Sequence, residues 1–192
     1  MRLFRHHTEV PVEARGAVIA LGNFDGVHRG HQAVLAEAAR IALQLDTSFA
    51  VLTFEPHPRE FFAPGQPSFR LTPFRIRMRH LEAIGADYVF VLHFDAELAS
   101  KSAEAFVVEV LSDGLEAAHV VVGQDFHFGA GRRGNAELLR ELGKLHGFGV
   151  TAVAPASTET GEIFSSTRIR EHLRAGRPRA AESVVLRKVG RD

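Results

Sequence analysis

Five short apolar runs constrain this chain more than any other feature in it. They fall at residues 17–21, 50–54, 88–92, 119–122 and 150–154, and none of them alternates with polar residues. A strand with one wet face alternates, whereas an unbroken Val- and Ile-rich run is buried on both faces, as in a parallel sheet. Helical periodicity fills the intervals. Val34, Ala38, Ile41, Ala42 and Leu45 form one stripe, and 73–84, 103–111 and 136–145 read as further helices. The alternation predicts an α/β fold: a doubly wound, Rossmann-like sheet of about five parallel strands with right-handed crossovers. At 192 residues, the chain suits one domain over 1–180 followed by a stub or linker over 181–192. The last stretch, 177–192, is charged and weakly patterned, either a short helix or a linker.

Residues 55–74 break the rhythm. Pro56, Pro58, Pro64 and Pro67 share the segment with Phe61, Phe62 and Phe69, a composition too irregular for a helix. A connection this long inside a compact domain reads as a lid or ligand wall.

Several function classes drop out on composition. Without cysteine there is no disulfide framework, thiolate zinc site or cysteine nucleophile. Lys plus Arg and Asp plus Glu balance at 23 each, so no general basic surface points to nucleic acid or an anionic membrane. The arginines at 75, 77, 79, 132 and 133 read as solvated faces or ligand clamps. No apolar run is long enough to span a bilayer, and the first residues lack the apolar centre of a signal peptide. A cytoplasmic protein is expected.

The chemistry-bearing residues follow the predicted strands. Gly22-Asn23-Phe24-Asp25-Gly26-Val27-His28-Arg29-Gly30-His31 follows the first, Glu55-Pro56-His57-Pro58 the second, His93-Phe94-Asp95 the third, and Gly123-Gln124-Asp125-Phe126-His127-Phe128-Gly129 the fourth. All lie at carboxyl ends, the edge where open α/β sheets bind ligands. The first segment is a strand, a Gly-rich turn and a helix start, which aims backbone N–H groups and a helix dipole at an anion. His28 and His31, three residues apart, share one face at that helix mouth. The turn is neither a Walker loop nor G-x-G-x-x-G. It is similar to the His-x-x-His junction of adenylyl- and cytidylyltransferases. Nucleotidyl transfer needs donors fixed around a five-coordinate α-phosphate and departing pyrophosphate, so the histidines read as electrostatic clamps rather than nucleophiles. Asn23 and Asp25 suit either local Asx-turn bonding or, for Asp25, orientation of the turn or approach to Mg²⁺.

A second anion site is expected at Ser165-Ser166-Thr167-Arg168-Ile169-Arg170, a hydroxyl-rich helix start. Two residues rotate about 200° on a helix, so Arg168 and Arg170 cannot face the same way. One reads as a ligand arginine, the other as a surface residue. Asp125, Phe126 and Phe128 read either as a strand end with buried rings or as a wall for a planar ligand, with Asp125 near phosphate-bound metal or a ring edge.

Taken together, these motifs resemble the FMN adenylyltransferase module of the bacterial bifunctional riboflavin kinase/FAD synthetase family. The resemblance runs from about residue 15 to 180 and includes Thr53-Phe54-Glu55-Pro56-His57-Pro58 and Arg70-Leu71-Thr72-Pro73. It implies the reaction ATP + FMN → FAD + pyrophosphate with Mg²⁺ as cofactor and ATP and FMN as small-molecule partners; from composition, no nucleic acid or membrane partner is expected. It further implies catalytic roles for His28, His31 and Asp125. The turn residues Gly22, Asn23, Phe24, Asp25, Gly26 and Gly30, with Ser166, Thr167 and Arg170, would hold ATP and its phosphates. Phe62, Phe126 and Phe128 would hold the flavin, and a metal would sit near Asp125 or Asp25. Two departures stand out. No basic residue occurs in Glu162-Ile163-Phe164, where the family often carries one; Arg132 or Arg133 could replace that contact. The kinase motifs are also absent, so kinase activity is not expected from these residues. Two other readings are a related transferase with a different phosphate acceptor, and a flavin- or nucleotide-binding protein without catalysis.

Overall fold

The computed structural model describes residues 1–63, 70–157, 164–178 and 181. Six strands form one parallel sheet: β1 (Arg2–Phe4), β2 (Val18–Leu21), β3 (Phe49–Glu55), β4 (Tyr88–His93), β5 (His119–Gly123) and, after the small antiparallel pair β6 (His127–Phe128) and β7 (Gly134–Asn135), β8 (Gly149–Val153). The order across the sheet is β1-β4-β3-β2-β5-β8. From β2 the chain winds outward through β3 and β4, then returns to lay β5 on the other side. The direction of winding therefore reverses between β2 and β5, and their carboxyl ends flank the crevice where such sheets bind ligands.

Both faces of the sheet are covered. Ile19, Leu21, Ala50, Leu52, Phe90, Leu92, Val120 and Val122 pack into one apolar layer, and Val18, Ala20, Val51, Val89, Val91 and Val121 into the other. This two-sided burial is why the runs do not alternate. Each Val, Leu, Ile or Phe among them contributes about 1.5–3 kcal/mol by leaving water. Helices α1 (Arg29–Gln44) and α3 (Phe74–Ile84) cover the second layer. The first is covered by α5 (Ala103–Phe106), which runs on as a π-helical stretch over Val107–Gly114, and by α6 (Ala136–His146).

The structure differs from the sequence expectations in four places. The sheet has a sixth strand, β1, too short to carry a pattern; Arg2 pairs with Tyr88 and Phe4 with Phe90. The segment after β3 is not wholly irregular, since Pro58 opens helix α2 (Pro58–Phe62). Proline fits a first helical turn because its missing N–H has no partner there anyway. On α1 the buried stripe is Val34, Leu35, Ala38, Ile41 and Ala42, while Leu45 lies beyond the helix end and is exposed. A short helix, α4 (Ala96–Ser100), capped by Asp95, also went unforeseen. Pro64, Pro67 and Phe69, the Glu162-Ile163 departure, and all of the expected 181–192 stub except Ala181 lie outside the described residues.

Candidate active site

The turn after β2 is held in an unusual backbone shape. Phe24, Gly26 and Val27 all have positive φ (50°, 83° and 37°). A Cβ on Gly26 would come within 2.9 Å of Leu71, and one on Gly30 within 3.1 Å of both the His28 ring and the Phe164 carbonyl. The two glycines thus let three segments meet. Strained backbone of this kind survives only where its surroundings over-determine it.

Asp25 supplies much of that determination. Its buried carboxylate accepts from the backbone N–H groups of Leu71 (3.1 Å) and Thr72 (3.0 Å) and pairs with the Arg170 guanidinium. Its carbonyl accepts from Ser166 Oγ at 2.8 Å. Arg170 and Ser166 belong to α7 (Ser166–Arg174), whose N-cap Ser165 accepts from Arg168 N. Asp25 therefore ties the first turn of the site to the last helix. Beneath it lies an ionic frame unforeseen as part of the site. Arg77, buried on the inward face of α3 beside Met78 and Leu81, donates to the Asn23 carbonyl and to Glu55, each at 3.0 Å. Arg70 pairs with Glu55 at 2.5 Å and with Glu60. The four-residue spacing of Arg77 and Leu81 is the signal that places this arginine inside.

His28 caps α1, its Nδ1 accepting from the His31 N–H at 3.3 Å. The two imidazoles stack with centroids 3.6 Å apart, and the Phe24 ring meets His31 edge-on at 5.3 Å. Burial pushes His28 down from 6.5 to about 4, against the opposing pull of the Asp125 and Asp25 carboxylates. His31 is likewise held well below its ordinary value, first by burial and then by its neighbours His28, Arg77 and Arg170. Both rings are neutral at ordinary pH. Because His28 Nδ1 accepts a hydrogen bond, the proton of the neutral ring sits on Nε2, leaving a donor there. His57, which caps α2, feels the same Asp25 and Arg170 charges and is also lowered, first by burial. Its position within the predicted Glu55–Pro58 edge segment was the available clue.

Beside the turn opens a cavity of about 580 Å³ lined by Phe54, Phe62, Phe94, Phe106, Phe126 and Phe128, with Asn23 also in its wall. Phe126 and Phe128 stack at 5.8 Å, and Phe62 stands edge-on to Phe94 at 5.8 Å. Phe62 is 67% exposed. Asn23 Oδ1 is shielded from solvent and has no partner among the described residues.

The structure thus brings His28, His31, Asp25, Ser166, Arg170 and the three glycines to one turn, and Phe62, Phe126 and Phe128 to one cavity beside it. Phe24 is a core side chain that shapes the turn through its backbone. Thr167 is exposed on the first turn of α7, and Asp125 is exposed after β5, close enough for His28 to feel its charge. Among the described residues no group of three or more His, Asp or Glu could hold a metal. Asp25 is occupied by Arg170 and two backbone donors, whereas Asp125 is an open carboxylate. The residues fit an Mg²⁺ that arrives on phosphates and takes at most one protein carboxylate, as that ion commonly does.

A doubly wound parallel sheet with a strained glycine turn, stacked neutral histidines and an aromatic cavity at its switch point has the layout of a nucleotidyltransferase domain. The FAD synthetase family model matches residues 10–168. Bifunctional riboflavin kinase/FMN adenylyltransferases from Pseudomonas fluorescens and Escherichia coli K12 are 42% and 37% identical over 91% and 96% of the chain. The chain belongs to the FAD synthetase family. It spans 56% and 59% of the length of those two relatives. A solved structure described as a macrolide-efflux protein from Streptococcus pneumoniae is also similar, with a TM-score of 0.83 and 27% identity, covering 95% of this chain and 58% of that one. In this chain no helix among the described residues is long and apolar enough to cross a membrane.

Proposed function

We propose that residues 1–180 form an adenylyltransferase domain that moves AMP from ATP to FMN, giving FAD and pyrophosphate in the cytoplasm. The observation that carries the reading is the continuity of two sites. Asn23 belongs both to the phosphate-type turn and to the wall of the aromatic cavity. A planar ring lodged among Phe62, Phe126 and Phe128 would place an attached phosphate toward that turn. The orphaned Asn23 Oδ1 suits a donor on a ligand.

In this reading a phosphate oxygen of FMN attacks the α-phosphorus of ATP in line. The new P–O bond forms as the bond to the β-phosphate's bridging oxygen breaks, and the electron pair leaves with pyrophosphate. His28 donates from Nε2 to the α-phosphoryl group, and the stack with His31 holds the ring in place. An arriving polyphosphate sets negative charge beside His28 and draws its proton affinity upward, strengthening the contact as charge builds. The amides at the start of α7 and the Thr167 hydroxyl suit the β- and γ-phosphates, while the Ser166 hydroxyl holds the Asp25 carbonyl and so the turn. Arg170 acts by holding Asp25 and, through it, the turn. Mg²⁺ carried by the phosphates, with Asp125 as its protein contact, would neutralise charge on the leaving group.

The test is pyrophosphate release from ATP and Mg²⁺ with and without FMN. FMN-dependent release with an equal amount of FAD is expected. Tight binding of both substrates without release would instead mean a carrier, and release with another phosphate acceptor but not FMN would mean a different transferase.

A further inference from the structure

We infer that Arg59 and Arg132 read the acceptor's phosphate and make this cavity select flavin mononucleotide over riboflavin; the inference rests on the flavin reading above. Among the described residues lining the cavity, the only formally charged ones are these two arginines, and no carboxylate lines it. They come from different walls, Arg59 from the first turn of α2 and Arg132 from the turn between β6 and β7. Neither guanidinium makes an ion pair or hydrogen bond among the described residues, although most arginines around this site are matched to an acid.

Each is placed at a cost. Arg59 sits close enough to Arg170 for the two cations to repel, which locates it where the cavity meets the Asp25–Arg170 pair. Arg132 has φ +57° directly after Gly131 at +63°, so a non-glycine residue is held in the left-handed region, with its N–H bonded to the Gly129 carbonyl at 3.0 Å. An anion between the two walls would relieve the repulsion and give both forks a planar, multidentate partner. A ring system without a phosphate would gain only the aromatic contacts. His127, the remaining titratable group on the wall, is engaged with the Asp125 carbonyl at 2.9 Å.

Flavin fluorescence titrations of the intact chain with FMN and with riboflavin test this. The wild type should bind FMN at least about tenfold tighter than riboflavin. Arg59→Gln and Arg132→Gln should each weaken FMN by about ten- to a hundredfold and leave riboflavin unchanged. Arg59→Lys should recover part of the loss, and raising the salt concentration should shrink the FMN preference. Both side chains are exposed, so the variants are expected to fold. Equal weakening of both flavins, or an FMN preference that persists in the double Gln variant, overturns the assignment while leaving the transferase reading intact. A wild type that binds neither flavin overturns both.

Discussion

Imidazole is an unusual N-cap, since Ser, Thr, Asp and Asn reach the same N–H groups with less bulk. His28 takes that position through Nδ1 and keeps a donor on Nε2. Replacing it should therefore have two separable effects. His28→Ala should lower turnover by about 10²–10³-fold, the usual cost of losing a pre-aimed transition-state donor. It should also cost about 1 kcal/mol of stability through the lost cap. Pyrophosphate release and thermal melting read the two independently, and unchanged turnover would sink the clamp role. Asp25 differs, because its carboxylate is committed to Arg170 and two backbone donors. Asp25→Ala leaves a buried guanidinium with one fewer anion and should destabilise the fold by about 3–5 kcal/mol. Asp25→Ala combined with Arg170→Leu should recover part of that loss, measurable by urea unfolding. The histidine pair was legible in the sequence because three-residue spacing at a helix mouth is a local property. The Asp25 clasp was not, since its partners lie 46 and 145 residues away and no local pattern joins them.

At the scale of elements, α2 supplies one wall of the aromatic cavity, and on the proposed function that wall would hold the flavin. Phe62 projects from it largely exposed, against Phe94. Phe62→Ala should raise KM for FMN by up to about tenfold, the worth of one aromatic contact, and leave kcat and melting temperature nearly unchanged. An equal fall in kcat would show that the ring acts on the transition state instead. The helix itself was hidden in the sequence by four prolines, three of which say nothing about helix and one of which, Pro58, starts it. Strands β2 to β5 were legible because burial on both faces leaves a chemical signature, and β8, half-buried throughout, because its run is still mostly apolar. β1 was not, since three residues cannot show a period.

For the whole molecule, pH dependence follows from the buried imidazoles. His28 is lowered from 6.5 to about 4, and His31 and His57 move the same way. Below pH 6.5 the unfolded chain takes up protons that the native state refuses, so stability falls as pH falls toward 4 and recovers above 6.5. His28 alone accounts for about 3 kcal/mol across that window, taken from its lowering to about 4. Urea midpoints measured from pH 7.5 to 4.5 should decline steadily. A flat profile would contradict neutral burial. The sheet's edge makes a second demand on the whole fold. Removing residues 1–5 would uncover β4, whose Val89, Phe90 and Val91 would offer an unpaired apolar edge. Concentration-dependent aggregation, seen by light scattering, is the expected result.

The clasp between residues 25 and 170 also sets an order of events during synthesis. All six strands of the sheet are complete once Val153 has been made, but the helix that fastens the glycine turn begins only at Ser166. A nascent chain can thus hold a finished scaffold while its glycine turn is still unfastened. On the proposed function, nucleotide capture would be one of the last properties the growing polypeptide acquires.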